Sequence, residues 1–341
     1  MKAVRYDAPR SFTVADIPLP EAGPDEVRIK VSQVGVCGTD LHLHDGGFNA
    51  VFPLIPGHEV VGIVDQLGVR VTRFRLGEQV TVNPNIHCGH CDYCLAGRLI
   101  LCANGRGLGS THAGFFAEYV AVDHSQVFSV DGLAADTAVF TEPASCAMHG
   151  IERLQVRPGS SALVFGAGPT GLLLAQLLAA SGAASVTVAD VVAFKLATAA
   201  HLGIDHTVLL NRNDTTSGVA ALRAGSPSRD GYDIVVEATG RTTVGQNCVP
   251  LARNGGTVLI YGVTHAEDTL PIHPFDVFRR EITILGSFAE ATSFGATIAA
   301  LRTRRIRTEG LITHRFTIDD YDQALHALAT DPTAHKVIIT P

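Results

Sequence analysis

Apolar and polar residues in the first third of the chain alternate in short runs rather than at helical spacing. Glu26–Val31, Glu59–Leu67, Gln79–Val82 and Ala117–Val122 are rich in β-branched residues, and Gly, Pro and Asp punctuate them. This pattern predicts an antiparallel or barrel-like β domain. From about residue 160 the texture changes. Strand-like runs recur at Ala162–Phe165, Ser185–Ala189, Thr207–Leu210, Asp233–Glu237, Gly256–Tyr261 and Ile282–Gly286, with apolar helical patterns at Leu172–Ala180 and Lys195–Leu202 between some of them. Such alternation predicts a parallel, doubly wound sheet, and so an α/β fold. The tail carries a helical stretch from Ser293, another around Tyr321–Ala329 and a terminal strand Lys336–Thr340, and is expected to return partly to the first domain.

Composition agrees with two folded domains. The chain has 341 residues, against roughly 150 per domain. Hydrophobic residues make up 46% and charged residues 17%, enough apolar material for two cores. A formal net charge of -7 argues against a phosphate-tracking surface, so nucleic acid is not an expected partner. The start, Met-Lys-Ala-Val-Arg-Tyr-Asp, lacks an apolar signal core, and the most apolar stretch, Gly171–Ala180, is too short for a membrane span. A cytoplasmic protein with no membrane partner is the resulting expectation. Seven cysteines, four of them within residues 88–102, then read as metal ligands rather than disulfides.

Residues 162–171 read Ala-Leu-Val-Phe-Gly-Ala-Gly-Pro-Thr-Gly, a G-x-G-x-x-G that follows a predicted strand and opens a predicted helix. Gly166 permits the tight turn, Gly168 lets backbone approach a pyrophosphate, and Gly171 lets helix and sheet pack closely. The pyrophosphate would sit at the helix N-terminus, where unpaired N–H groups favour anions. Asp190 ends the next predicted strand, where a carboxylate holds the adenosine ribose hydroxyls and repels a 2′-phosphate. NAD is therefore expected over NADP. The plainer reading of Asp190 is a helix N-cap. Lys195 reads as a second adenosine contact or as a solvated lysine.

Cys88, Cys91, Cys94 and Cys102 fit C-x2-C-x2-C-x7-C. Four thiolates at this spacing close a tetrahedron around Zn²⁺ and leave no position for substrate, which describes a structural ion. Gly89 and Gly97 supply turns for the wrapping. A second candidate set lies on three separated segments: Gly35-Val-Cys-Gly-Thr-Asp-Leu-His42, Pro56-Gly-His-Glu59 and Thr141-Glu-Pro-Ala-Ser-Cys146. A Cys, a His and one or two carboxylates suit Zn²⁺ with room left for water or substrate. Taken singly, each also reads as a buried thiol, a packed histidine or a helix-start carboxylate.

With these motifs in place, the chain resembles the zinc-dependent medium-chain alcohol dehydrogenases, in particular the polyol (sorbitol-like) and threonine dehydrogenase branch. The likeness runs through the C-G-T-D-x-H segment, G-H-E, the four-Cys lobe, E-P, the dinucleotide fingerprint and Gly286-Ser287-Phe288. It implies a GroES-like β-rich catalytic domain at 1–147 with a zinc lobe at about 84–104, a Rossmann NAD-binding domain at 148–287, and a return to the first domain over 288–341. It implies two zinc ions per chain, the catalytic one held by Cys37, His58 and Glu142, with Glu59 a ligand in some states or an outer partner. Thr39 would be the hydroxyl of a proton relay and His42 its outer member. Nucleotide contacts would fall at Pro169, Thr170, Asp190, Lys195, Tyr261, Gly262, Val263, Ser287 and Phe288.

The implied activity is reversible, NAD-dependent oxidation of a secondary hydroxyl of a polyol or sugar alcohol to a ketone, in a homodimer or homotetramer. A threonine-like amino alcohol or a simple secondary alcohol is the alternative substrate. Ala289 and Glu290 stand where sorbitol dehydrogenases commonly carry an Arg-Tyr pair, which argues against sorbitol itself. Glu290 reads as an acceptor for substrate hydroxyls or as a solvated loop carboxylate, and Phe48 as pocket lining or plain packing.

Overall fold

The alternation in Glu26–Val31 belongs to a longer strand, Glu26–Val36, that buries Val27, Ile29, Val31 and Val34. The computed structural model describes the chain apart from Asp205, Asn213, Asp214 and Ala291 and the side chains of residues 215–217. Glu26–Val36 is central to a seven-stranded sheet ordered Ile312–Thr317, Lys336–Thr340, Glu26–Val36, Glu59–Leu67, Gln79–Val82, Val127–Ser129, with Tyr119–Asp123 also paired to Glu26–Val36. The pairings are antiparallel except that of Ile312–Thr317 with Lys336–Thr340. Gly62 lets two of these strands lie close, since a Cβ there would stand 2.5 Å from the Lys30 carbonyl oxygen.

Register across the centre of this sheet has a consequence for chemistry. Ile338 pairs with Gly35, and Gly35 pairs with Glu59. Paired residues share a face and side chains alternate with period two, so Lys336, Gly35 and Glu59 lie on one face. Gly35 contributes no side chain between the other two.

The expected strands Glu59–Leu67, Gln79–Val82 and Lys336–Thr340 occur with those bounds. Tyr119–Asp123 starts later than expected, after a segment whose Ala117 makes only an isolated bridge to Ala3. The strand Ile312–Thr317 was not expected. Its run Ile-Thr-His-Arg-Phe-Thr is only half-buried at a sheet edge, so its apolar alternation is weak.

The chain divides into two units, one of residues 1–145, 290–304 and 310–341, the other of residues 146–289 and 305–309. The second holds a six-stranded parallel sheet ordered His206–Leu209, Ser185–Asp190, Ser161–Phe165, Tyr232–Glu237, Ala252–Ile260, Thr283–Gly286. Numbered along the chain, this is the order 3-2-1-4-5-6 of a doubly wound dinucleotide fold. The inner strand Ser161–Phe165 is buried throughout, as a strand covered on both faces requires. Helices Pro169–Ala180 and Ala193–His201 follow the first two of these strands. Among the described residues, no helix is long and apolar enough to cross a membrane.

Candidate active site and metal centres

The four-Cys segment wraps back on itself between two short paired strands, Asn85–Ile86 and Arg106–Gly107. Gly89 and Gly97 turn the chain at φ 76 and 72, a region where a side chain would be strained. The four sulfurs all lie within 4.8 Å of one another, and Cys91 Sγ and Cys102 Sγ are 3.8 Å apart. The edge of a tetrahedron built on Zn–S bonds of about 2.3 Å is ~3.8 Å, so the set fits zinc. Backbone N–H groups of His90 and Cys91 pull the Cys88 thiol down to about 5. Burial pushes Cys94 up to about 12, so that thiol needs a cation at the centre to ionise. Among the described residues, no cysteine is in a disulfide.

The second group forms where two strand ends meet a short helix. Cys37 is the N-cap of the helix Gly38–His44, and its backbone N–H donates to Asp40 Oδ2 at 2.8 Å. Gly57, at φ 96 and pressed against Phe116, delivers His58 to the start of the strand Glu59–Leu67. Ligand atoms of Cys37, His58 and Glu59 lie within 4.8 Å of one another. Glu142, buried in the first turn of the helix Thr141–Leu154, is not in that tight group. Its charge nevertheless acts on both His58 and Lys336.

Two further residues complete the surroundings. Asp40 is 1% exposed, and its Oδ1 lies 3.6 Å from His58 Nδ1. Burial holds its carboxyl above the usual range, although His58 and the Cys37 N–H oppose this. Burial works against the charged form of His58, yet Asp40, Cys37 and Glu142 together raise it well above an ordinary histidine. The field here is strongly negative and favours a cation. Lys336 answers part of that charge: its Nζ donates to both carboxylate oxygens of Glu59 at 2.7 Å. Neither side chain is more than 5% exposed, and removing one partner of such a buried pair costs about 3–5 kcal/mol.

Asp40 had appeared in the sequence only as part of a motif, although its spacing from Cys37 is that of a capping box. For Lys336 the available signal was a single lysine leading an apolar terminal strand. Thr39 Oγ1 lies 3.8 Å from Cys37 Sγ, and His42 follows it one turn on, on the same side of the helix. His44 instead bonds Tyr6 Oη at 2.8 Å. Phe48 packs half-buried against the core of the first unit. Glu290 is fully buried and accepts a hydrogen bond from Asn85 Nδ2 at 3.1 Å, so it is not a solvated loop carboxylate.

In the second unit, Gly166 turns at φ 103 and Gly168 caps the helix that Pro169 opens, with Thr170 in its first turn. A Cβ on Gly171 would lie 1.9 Å from the Gly166 carbonyl oxygen. Asp190 Oδ2 accepts from Ala167 N at 2.7 Å and Oδ1 from Val192 N at 2.9 Å. The N-cap of the following helix is Val192, so Asp190 is not that cap. Its carboxylate reaches back to the fingerprint loop, and Lys195 lies half-buried in the helix beyond. At the neighbouring strand ends, Tyr261 and Gly262 donate to the Glu237 carbonyl, and Ser287 to that of Ile260. Val263 and Phe288 stand exposed beside them. Glu237 is itself a buried carboxylate that accepts from the N–H groups of Thr239 and Gly240 and from the Thr239 hydroxyl.

Comparison with known proteins decides the family. Residues 23–132 match the alcohol dehydrogenase GroES-like domain, and residues 169–303 match the zinc-binding dehydrogenase family. D-arabinitol dehydrogenase 1 of Uromyces fabae is 39% identical over 97% of this chain and 94% of its own length. The chain belongs to the zinc-dependent medium-chain alcohol dehydrogenases, polyol and threonine dehydrogenase branch. D-altritol 5-dehydrogenase of Agrobacterium fabrum is 32% identical, over 99% of this chain and 98% of its own. A crystal structure from Sinorhizobium meliloti 1021, bound to NADP, superposes with a TM-score of 0.93 at 34% identity, covering 100% of this chain and 99% of that one. The zinc-dependent dehydrogenase is thus an oxidoreductase built of a GroES-like domain and a Rossmann domain.

Loss of the charge that orients a metal-binding histidine weakens such sites by about 10–100-fold. Asp40→Asn is therefore expected to lower zinc affinity at the Cys37–His58 group by that order while the four-Cys ion stays bound. Competitive titration with a chromophoric chelator measures it, and unchanged affinity would remove Asp40 from this role.

Proposed function

We propose that this dehydrogenase oxidises a secondary hydroxyl of a polyol or sugar alcohol to a ketone, with NAD as acceptor. The observation that carries the reading is the grouping of Cys37, His58 and Glu59 in a negative, nearly buried site, in a chain that also presents a dinucleotide fingerprint. The substrate class rests on the relatives, which act on D-arabinitol and D-altritol by name. NAD rather than NADP rests on Asp190, whose carboxylate faces the fingerprint loop and would repel a 2′-phosphate.

Cys37, His58 and Glu142 hold the catalytic zinc in this reading, Glu59 stands beside them, and Cys88, Cys91, Cys94 and Cys102 hold the structural ion. Bound zinc supplies Lewis-acid lowering of the alcohol's pKa, and bound NAD accepts the hydride. Asp40 faces His58 Nδ1 and so leaves Nε2 as the ligating atom. Thr39 Oγ1 accepts the proton leaving the alcohol and hands it toward His42. Gly166, Gly168, Pro169, Thr170 and Gly171 seat the pyrophosphate. Asp190 and Lys195 meet the adenosine, and Tyr261, Gly262, Val263, Ser287 and Phe288 line the rest of the cofactor's path. Phe48 and Glu290 are the candidate substrate contacts. In the same reading the chain is catalytic over 1–147, NAD-binding over 148–287 and catalytic again over 288–341, against observed units that meet at residues 145 and 289 and place 305–309 in the second.

A homo-oligomer is the favoured state. The strand Thr283–Gly286 ends its sheet with Ile284 36% exposed, and on the helix Pro274–Arg280 that precedes it Phe275 and Phe278 are 61% and 80% exposed. A sheet edge flanked by exposed aromatics invites a second chain. That no described cysteine is in a disulfide suits a reducing, cytoplasmic setting.

Cys37→Ser and His58→Ala are expected to abolish turnover while the proteins still fold and bind NADH. Activity on D-arabinitol and related polyols, read against L-threonine and 2-propanol by NADH absorbance, tests the substrate class; a preference for L-threonine would move the enzyme to the amino-alcohol alternative. Asp190→Ala should shift kcat/KM toward NADP, and an unchanged cofactor ratio would overturn the ribose assignment. Phe278→Asp should shift the mass measured by light scattering toward a monomer.

A further inference from the structure

We propose that Glu237 is a positioning residue for the dinucleotide, which acts by holding the backbone of the turn 239–241 against the fingerprint loop and the loop 261–263. This rests on the reading above that a nicotinamide dinucleotide binds at Gly166–Gly171. Glu237 is the last residue of the strand Tyr232–Glu237, and it pairs with Phe165 on one side and Ile260 on the other. In the order 3-2-1-4-5-6 these residues end strands 4, 1 and 5. Glu237 therefore stands at the switch point of the sheet, and in such sheets ligands bind beyond the carboxyl ends of the strands at that point.

The residue is 2% exposed, and both of its carboxylate oxygens accept from the turn that follows. Oε1 accepts from Thr239 N at 2.8 Å and from the Thr239 hydroxyl, and Oε2 accepts from Gly240 N at 3.1 Å. Thr239 Oγ1 accepts in turn from Arg241 N at 3.2 Å, so three successive N–H groups are directed inward, onto Glu237 or onto the hydroxyl bound to it. Successive N–H groups left open form a concavity for anions. Here the chain's own side chain occupies it, and the helix that opens at Pro169 is left to take the pyrophosphate. The turn also meets both neighbouring loops at close range. A Cβ on Gly166 would stand 3.1 Å from Thr239 Cγ2, so the threonine methyl covers the first glycine of the fingerprint. A Cβ on Gly262 would stand 2.1 Å from Gly240 N and 2.6 Å from Glu237 Oε2. Tyr261 and Gly262 are held as well, by donating to the Glu237 main-chain carbonyl. Displacing the turn thus disturbs two loops that the reading above gives to the cofactor.

Glu237→Gln keeps the shape of the side chain but turns one acceptor into a donor, so one of the N–H groups of Thr239 and Gly240 faces an NH₂ group. A buried N–H without an acceptor is costly, and the turn is expected to open. Affinity then falls with the fraction of molecules that keep the binding-competent shape; if a tenth do, it falls about tenfold. The test uses the purified zinc-loaded protein and two readouts: hydrogen exchange of the 239–241 amides without cofactor, and NADH or NADPH binding by fluorescence titration. Glu237→Gln should speed the exchange, weaken binding of whichever dinucleotide the wild type takes by about tenfold, and raise KM for its oxidised form more than it lowers kcat. Gly262→Ala drives a methyl into the same turn and should weaken binding similarly. Because both changes act on one element, the double variant should fall well short of the roughly hundredfold loss that independent effects give. Thr239→Val removes the hydroxyl but keeps a methyl over Gly166; it should move both readouts the same way to a lesser degree, and carries the test if the glutamine variant does not fold. A wild type that binds neither dinucleotide removes the cofactor reading and this inference with it. A wild type that binds while Glu237→Gln binds equally well overturns the role of Glu237 alone, as do weakened binding with unchanged exchange at 239–241 and fully additive losses in the double variant.

Discussion

Concentrating acidic groups where water is scarce is the constraint around which the first unit is organised. Cys37, Asp40, Glu59 and Glu142 converge with His58 at the edge of a β core, and two of the carboxylates, Asp40 and Glu59, are essentially unexposed. Separated charges of one sign in a low dielectric repel strongly unless cations stand among them. Lys336, from the last strand, supplies one cation to these groups, and a bound metal would supply more positive charge. The order of the central strands and the bare backbone at Gly35 bring Lys336 to Glu59 without a side chain between them.

The four-Cys lobe meets the same constraint in a different way. Its sulfurs come from one contiguous stretch, and short turns at Gly89 and Gly97 are enough to bring them together. Nearby N–H groups stabilise the Cys88 and Cys91 thiolates, whereas buried Cys94 depends on the metal to ionise. A closed shell of four thiolates holds a lobe in shape but offers a substrate nothing. The second site is assembled from distant segments and brings only Cys37, His58 and Glu59 into one tight group, which is why the proposed chemistry is assigned to it.

The second unit solves a simpler electrostatic problem with backbone. The strand order 3-2-1-4-5-6 brings the ends of several parallel strands to one edge, and the Gly166–Gly171 turn opens a helix N-terminus there. Two carboxylates brace this edge. Asp190 ties the end of its strand to the fingerprint loop, and Glu237 holds the backbone of Thr239 and Gly240. The first is the carboxylate to which the proposed ribose contact is assigned, whereas the second is spent on the loop itself.

What the sequence by itself determined is whatever neighbouring residues can enforce. Period-two alternation located the strands Glu59–Leu67 and Gln79–Val82, the recurring strand and helix patterns identified the doubly wound sheet, and contiguous motifs marked the thiolate lobe and the fingerprint. In each case spacing along the chain limits distance in space to a turn or a loop. Tertiary structure alone decided the rest. Lys336 and Glu59 stand 277 residues apart, and only the order and register of three strands brings them together. The facing of Asp40 and His58, the burial of Glu290 against Asn85 and the half-buried edge strand Ile312–Thr317 have the same origin. Such partners leave no periodic trace, because what joins them is the pairing of strands and not the path of the chain.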